Sequence, residues 1–332
     1  MGAMVRYGIA GFGLHAVKRL MPGFAAANNS QAVALSRRNL EQGREDAQRY
    51  SIPHAFATTE ELCQCPDVDV VFVASPNALH LADTLTALRY GKAVLCEKPM
   101  AMNASEAEQM TTAAREKGVL LGIAQCFRFE NSVHRIRQRV QAGEIGKVTS
   151  IRIDFTFLGL NSPRRWLHDS KLAGGGPIGD VGVHCIDAMR FILGTEPQSV
   201  SAMTEADADA GTVESSALLS LRFADGVLGR SYVSYRAPYQ SPVEVFGTEG
   251  TIRALDGLTV DHPIVIELQK GADLEREELT NYETYSRQVD SFSAAFEKKS
   301  EFPVPAVEGL QNQRILDAFY RSAKSGREEQ VV

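Results

Sequence analysis

The chain has no apolar run near the roughly 18 residues that cross a bilayer, and it opens without the charged-then-apolar segment of a secretory signal. A cytoplasmic protein with no membrane partner is therefore expected. It also lacks a basic excess: Lys and Arg number 35 against 41 Asp and Glu, for a net charge of -6. Nucleic acids require a basic face, so no nucleic-acid partner is expected. Cysteine is scarce, with Cys63, Cys65, Cys96, Cys126 and Cys185 the only five. An odd count so scattered fits reduced thiols and excludes a disulfide framework. Cys63-Gln64-Cys65 has neither a second pair nor a histidine close in sequence, so no metal site is expected. Internal repeats, low-complexity segments and long linkers are absent too. Met1-Gly2-Ala3 ahead of Met4 is set aside from the fold.

What is present is an ordinary globular composition, 44% hydrophobic and 23% charged, over a length that favours about two domains. The first third alternates strand and helix. Val5–Ala10, Ala32–Ser36, Val68–Ala74, Ala93–Cys96 and Val119–Ala124 are short apolar runs, as in strands buried on both faces. Asn39–Tyr50, Leu79–Tyr90 and Ser105–Lys117 between them are helix-like, the last with a capping box at Ser105-Glu106-Ala107-Glu108. This alternation predicts an α/β fold with a parallel, doubly wound sheet. After about Gln125 the pattern changes to a series of strands: 148–157, 197–203, 213–223, 227–235, 243–247 and 264–268. Asp225-Gly226 is a hairpin signal within it. The expected division is a nucleotide-binding domain over 4–124 and a second, mostly antiparallel α+β domain over 125–332. Helical periodicity returns at 286–298 and 307–325, and the last helix could pack back on the first domain.

Gly11-Phe12-Gly13-Leu14-His15-Ala16 follows the first strand and precedes a helix. In a dinucleotide site the first glycine permits the tight turn and the second lets backbone approach the pyrophosphate. The small third residue lets helix and strand pack closely, while the helix N-terminus faces the phosphates. The second strand ends in Ser36-Arg37-Arg38, where an NAD site usually has an acidic residue for the ribose 2′-hydroxyl. A hydroxyl and two guanidinium groups instead suit a 2′-phosphate, so NADP is expected over NAD. The plain alternative is that Arg38 opens a solvated helix; Arg37 would still lack an acidic competitor.

Lys98, in Glu97-Lys98-Pro99, stands at the carboxyl end of another strand, where open α/β sheets bind their ligands. The Ser75-Pro76-Asn77 turn also ends a strand and should face the nicotinamide half; His80 after it either joins that site or packs locally. Gly174-Gly175-Gly176-Pro177 leads into a helix expected to run to about Leu193, capped by Gly194. Asp180, His184 and Asp187 form one polar stripe on this apolar helix, and buried groups of that kind need partners or a cleft. Gln125 and Arg128 are further cleft candidates, and Arg165-Trp166 lies in the loop before the glycine run, where Trp166 could simply pack.

Four ordered motifs together resemble the glucose–fructose oxidoreductase/inositol dehydrogenase/MocA family: Gly8–Gly13, Ala74-Ser75-Pro76-Asn77 with His80, Gly91–Pro99, and Gly174–His184. Asn312–Ala323 is similar to that family's last helix. The resemblance implies an N-terminal Rossmann domain, a C-terminal domain with a large open sheet used for homodimer or homotetramer contacts, and redox chemistry on a sugar or polyol. It also implies that Lys98, Asp180 and His184 are the catalytic residues, and that Arg165-Trp166 approaches the cofactor, where an indole or guanidinium could stack. Cys185 departs from the acidic residue that many sugar-oxidising relatives carry after the histidine. Two other functions share this fold: a non-catalytic nucleotide-binding regulator and a nucleotide-dependent glycosidase.

Overall fold

Short apolar runs build the first sheet, and the burial of its central strands on both faces explains why they do not alternate in polarity. The structure, a computed structural model, describes residues 4–332; Met1-Gly2-Ala3 lies outside them. By contacts the chain forms two units. The first holds residues up to Cys126 and then Glu283–Gln313. Its strands are β1 (Val5–Ala10), β2 (Ser30–Ser36), β3 (His54–Phe56), β4 (Val70–Val73), β5 (Ala93–Glu97) and β6 (Leu121–Ala124). They pair in parallel in the order β3-β2-β1-β4-β5-β6. That is the Rossmann order, with the crevice at the carboxyl ends of β1 and β4 where the order reverses.

Helices Leu40–Arg49, His80–Arg89 and Ala104–Lys117 match the expected ones closely. The last is capped two residues earlier than expected: Asn103 Oδ1 accepts from Glu106 N at 2.9 Å. Glu106 in turn accepts from Met102 N at 3.1 Å. Asparagine caps as well as serine, so the box at 105–108 lies inside the helix. Glu283–Gln313 belongs to the first unit: Phe292 and Phe302 pack over Gly122 of β6, and Ile123 N donates to Val304 O at 2.9 Å. Asp290 there accepts from the backbone amides of Asn28 and Asn29 at 2.7 and 3.1 Å, just before β2.

The second unit holds Phe127–Tyr282 and Arg314–Val332. Its strands are β7 (Val148–Ile153), β8 (Phe155–Leu158), β9 (Pro197–Glu205), β10 (Ser216–Phe223), β11 (Leu228–Ser234), β12 (Arg236–Gln240), β13 (Val243–Gly247), β14 (Thr251–Ala254), β15 (Pro263–Lys270), β16 (Asp273–Thr280) and β17 (Glu329–Gln330). They make a mixed, mostly antiparallel sheet in the order β16-β15-β14-β13-β7-β11-β10-β9-β17, with β8 and β12 off this path. The expected hairpin joins β10 to β11, with Gly226 at φ 85° and Val227 N donating to Asp225 Oδ1 at 3.2 Å. Ile186, Ala188, Met189 and Ile192 of helix Val183–Leu193 are all buried. Among the described residues no helix is long and apolar enough to cross a membrane.

Candidate functional site

In the first unit, the predicted ligand residues gather at the carboxyl ends of β1, β2, β4 and β5. Gly11 adopts φ +80°, and a Cβ there would lie 2.4 Å from Ser75 Cα, so the turn packs against the β4 turn and only glycine fits. At Gly13 the nearest atom to an added Cβ is Gly11 O at 3.8 Å, leaving open space above the turn. A close-packed first glycine and an open second one fit a pyrophosphate approaching the backbone. Leu14 opens the following helix. Phe12 can offer only backbone, because its side chain is buried against Tyr50.

The residues around β4 and β5 are cross-braced. His80, expected among the ligand contacts, is fully buried. Its ring nitrogens lie 2.9 Å from Ser75 O and 2.9 Å from Pro99 O. It therefore ties the Ser75-Pro76-Asn77 turn to the segment after Lys98. Burial lowers its pKa against the pull of those two carbonyls. Ser75 Oγ donates to Asp83 at 2.6 Å, and Asn77 is buried. Glu97 is buried too, and lies 2.8 Å from His15 Nε2 while accepting from Lys98 N at 3.2 Å. Burial raises its pKa, but His15 and Lys98 outweigh that and hold the carboxyl below its ordinary value. Lys98 is half-buried at the mouth of β5, and its peptide bond to Pro99 is cis. His15 was not singled out from the sequence; its place in the glycine turn was the available signal.

At the end of β2, Ser36 is buried and its carbonyl accepts from Phe12 N at 2.9 Å. Arg37 does have an acidic competitor: Asp46, on the helix that follows, forms an ion pair with it. The sequence hid this because the partner lies nine positions on, brought round by the helix rather than by the strand end. Arg38 is exposed.

In the second unit, residues Ile178–Gly182 form a π turn that runs into helix Val183–Leu193, ended by Gly194 at φ 70°. The expected helix is present, with a wider first turn. Asp180 and His184 are both buried at 7% and 6% exposure. Tyr235 Oη donates to Asp180 Oδ2 at 3.2 Å, and Arg164 Nη2 lies 3.6 Å from the same oxygen. Burial, then the nearby Asp180 charge, raises the Tyr235 pKa well above its ordinary value, so the phenol keeps its proton as a donor. Tyr235 packs edge-on to Phe157 of β8 and to His168 of the short turn Arg165–His168. Phe127 meets His184 edge-on at 4.6 Å between ring centres. Neither Tyr235 nor Phe127 was assigned to the site from the sequence, because each is distant in the chain.

The polar stripe divides. Asp187 accepts from Arg128 Nε and Nη2 at 2.6 and 2.9 Å in a fully buried ion pair, so both belong to the helix packing. Cys185 is buried, which pushes its thiol up to about 12. Arg165 is exposed and Trp166 half-buried, on the short turn Arg165–His168. All five cysteines are free and buried. His54, Cys65 and Asp67 each bring one possible ligand atom within 4.8 Å of the others. Asp67 is nevertheless engaged, 2.9 Å from His54 and 3.0 Å from Arg6.

A Rossmann-ordered sheet with this turn and strand-end lysine, in one chain with a buried aspartate–histidine helix, defines a nucleotide-dependent oxidoreductase. Residues 5–125 match the family described as "Oxidoreductase family, NAD-binding Rossmann fold", and residues 133–253 match the GFO/IDH/MocA C-terminal domain. An uncharacterized oxidoreductase of Rhizobium meliloti is 30% identical over 335 residues, 99% of both chains. D-xylose 1-dehydrogenase (NADP(+)) 2 of Haloferax volcanii is 30% identical over 96% of this chain and 98% of its own. The solved aldose-aldose oxidoreductase of Caulobacter crescentus, complexed with glycerol, is 29% identical, with a TM-score of 0.91 over 98% of this chain and 99% of that one. The chain belongs to the GFO/IDH/MocA oxidoreductase family, with its NAD-binding Rossmann domain.

Proposed function

We propose that this protein is an NADP(H)-dependent oxidoreductase that interconverts a hydroxyl and a carbonyl carbon of a sugar, sugar derivative or polyol. The observation that carries the reading is the buried Asp180–His184 pair, held by Tyr235 on an apolar helix. Buried polar groups of this kind are costly unless they have work or partners. When bound, the nicotinamide supplies the hydride acceptor or donor. Gly11, Phe12, Gly13, Leu14 and the Ser75–Asn77 turn hold the nucleotide through backbone, and exposed Arg38 with Ser36 meets the 2′-phosphate; Arg37, paired with Asp46, orients that corner. Arg165 and Trp166 add a stacking surface.

In this reading the His184 imidazole takes the proton from the substrate hydroxyl and returns it in the reverse direction. The Lys98 ammonium donates to the same oxygen and stabilises the negative charge that develops on it. Asp180, fixed by Tyr235, orients the proton carrier. We also assign residues 4–124 to nucleotide binding and 125–332 to substrate binding and self-association. Met203, Leu218 and Tyr232 lie side by side across β9, β10 and β11, exposed, and such a row suits a second copy.

Turnover of a panel of aldoses and polyols with NADP+ tests the reading. Formation of NADPH that is lost in His184→Ala supports it. Glycoside cleavage without net change in cofactor would favour the glycosidase, and binding without any turnover the regulator.

A further inference from the structure

We propose that Glu214 is a positioning residue of this site: with Tyr320 it fixes the first turn of the helix that bears Asp180 and His184. The inference rests on the function proposed above. That helix begins after Gly174-Gly175-Gly176-Pro177 and has no capping side chain of its own. Pro177 has no N–H, so the amides of Gly176 and Ile178 remain to be satisfied. Both donate to one oxygen of Glu214, at 2.9 and 3.3 Å. The cap is thus supplied from a segment 36 residues downstream of Ile178. The Tyr320 hydroxyl lies 3.3 and 3.5 Å from the two carboxylate oxygens.

The glycine run is shaped to these two residues. A Cβ on Gly175 would lie 1.6 Å from Tyr320 Oη, and one on Gly176 would lie 2.0 Å from Glu214 O. Glycine here allows the helix start to touch its anchor. The same segment reaches Asp180 by a second route. Ser215 O accepts from Tyr235 N at 2.9 Å, and Tyr235 Oη donates to Asp180. Residues 214 and 215 therefore hold Asp180 from the helix start and from its hydrogen-bond donor. Two features that the proposed chemistry leaves unused, the third glycine and the terminal helix with Tyr320, acquire a purpose in this arrangement.

The test compares Glu214→Ala with Glu214→Gln, which keeps an acceptor oxygen. The first readout is the imidazole NMR signal of His184, assigned by its loss in His184→Asn, in the protein without substrate. Glu214→Ala is expected to shift that signal and move its titration midpoint, whereas Glu214→Gln restores it. On an active sugar, Glu214→Ala is expected to lower kcat about ten- to a hundredfold, the scale of a misplaced reacting group, with NADPH affinity unchanged. A folded Glu214→Ala protein whose His184 signal overlays the wild type would overturn the proposal. If that variant does not fold, Tyr320→Phe decides: a shifted His184 signal supports the anchor, and an unmoved one contradicts it. A wild type that turns over no sugar refutes the function, while the NMR comparison still decides the anchor.

Discussion

At the residue scale, types that look alike in sequence have divided tasks. Asp180 and Asp187 share a helix and a stripe, yet one is held by a tyrosine and the other by an arginine. Their roles follow from those partners, and the partners are not local: Arg128 lies 59 residues before Asp187. Periodicity therefore exposes the stripe but cannot sort it. The Arg128–Asp187 pair is fully buried, and removing Arg128 takes from Asp187 its two short contacts while Arg190 Nη1 stays 3.8 Å away. With that second arginine present, Arg128→Met is expected to cost less than the roughly 3–5 kcal/mol of a wholly uncompensated buried charge, read in chemical denaturation. Adding Asp187→Leu to it should recover much of that loss. The two turn glycines also differ. Gly11→Ala should destabilise the fold, since its Cβ would meet Ser75 backbone at 2.4 Å. Gly13→Ala has room and should fold normally while losing nucleotide affinity, which thermal unfolding and cofactor titration together would separate.

At the element scale, the legible pieces are those whose burial shows as a hydrophobic pattern. Strands β1, β4 and β5 and the Asp225-Gly226 hairpin are of this kind. Helix Asn131–Gln141 and strand β16 are not, because the helix buries a charge and the strand is largely exposed. Arg139 on the helix is 2% exposed and pairs with Glu275 and Glu277 on β16, while Arg135 pairs with Glu277. An edge strand reading Asp-Leu-Glu-Arg-Glu-Glu-Leu-Thr carries no apolar period to detect. The π turn at Asp180 was equally hidden, since it depends on a cap supplied by Glu214. Burial raises the Glu214 pKa, against the amides of Gly176 and Ile178 that lower it. A raised carboxyl binds its proton more readily in the folded state, so its contribution is full at acid pH and is lost as pH rises through the folded pKa. Glu214→Gln should therefore gain stability relative to wild type from acid to neutral pH. A difference in thermal midpoint between the two proteins that stays constant across that range would contradict the raised carboxyl.

At the scale of the whole molecule, the alternating third and the strand-rich remainder were both visible in the sequence. A return of the last helix was an expectation, and its start lies in the first unit; that helix Thr284–Lys298 returns as well was not visible, because buried Val289 and Phe292 do not tell which sheet they cover. The outer row Met203–Leu218–Tyr232 is the feature that bears on assembly. If it is covered by a second copy, Leu218→Asp should convert an oligomer to a monomer in sedimentation, with secondary structure retained. An unchanged sedimentation coefficient would place any self-association elsewhere. The most direct test of the central claim is separate titration of NADPH and NADH into the purified protein, read by quenching of Trp166. The account predicts NADPH binding at least about tenfold tighter, a difference near 1.4 kcal/mol, with the preference lost in Arg38→Ala. Tighter NADH binding would contradict the assigned cofactor, and binding of neither by cofactor-free protein would contradict the oxidoreductase itself.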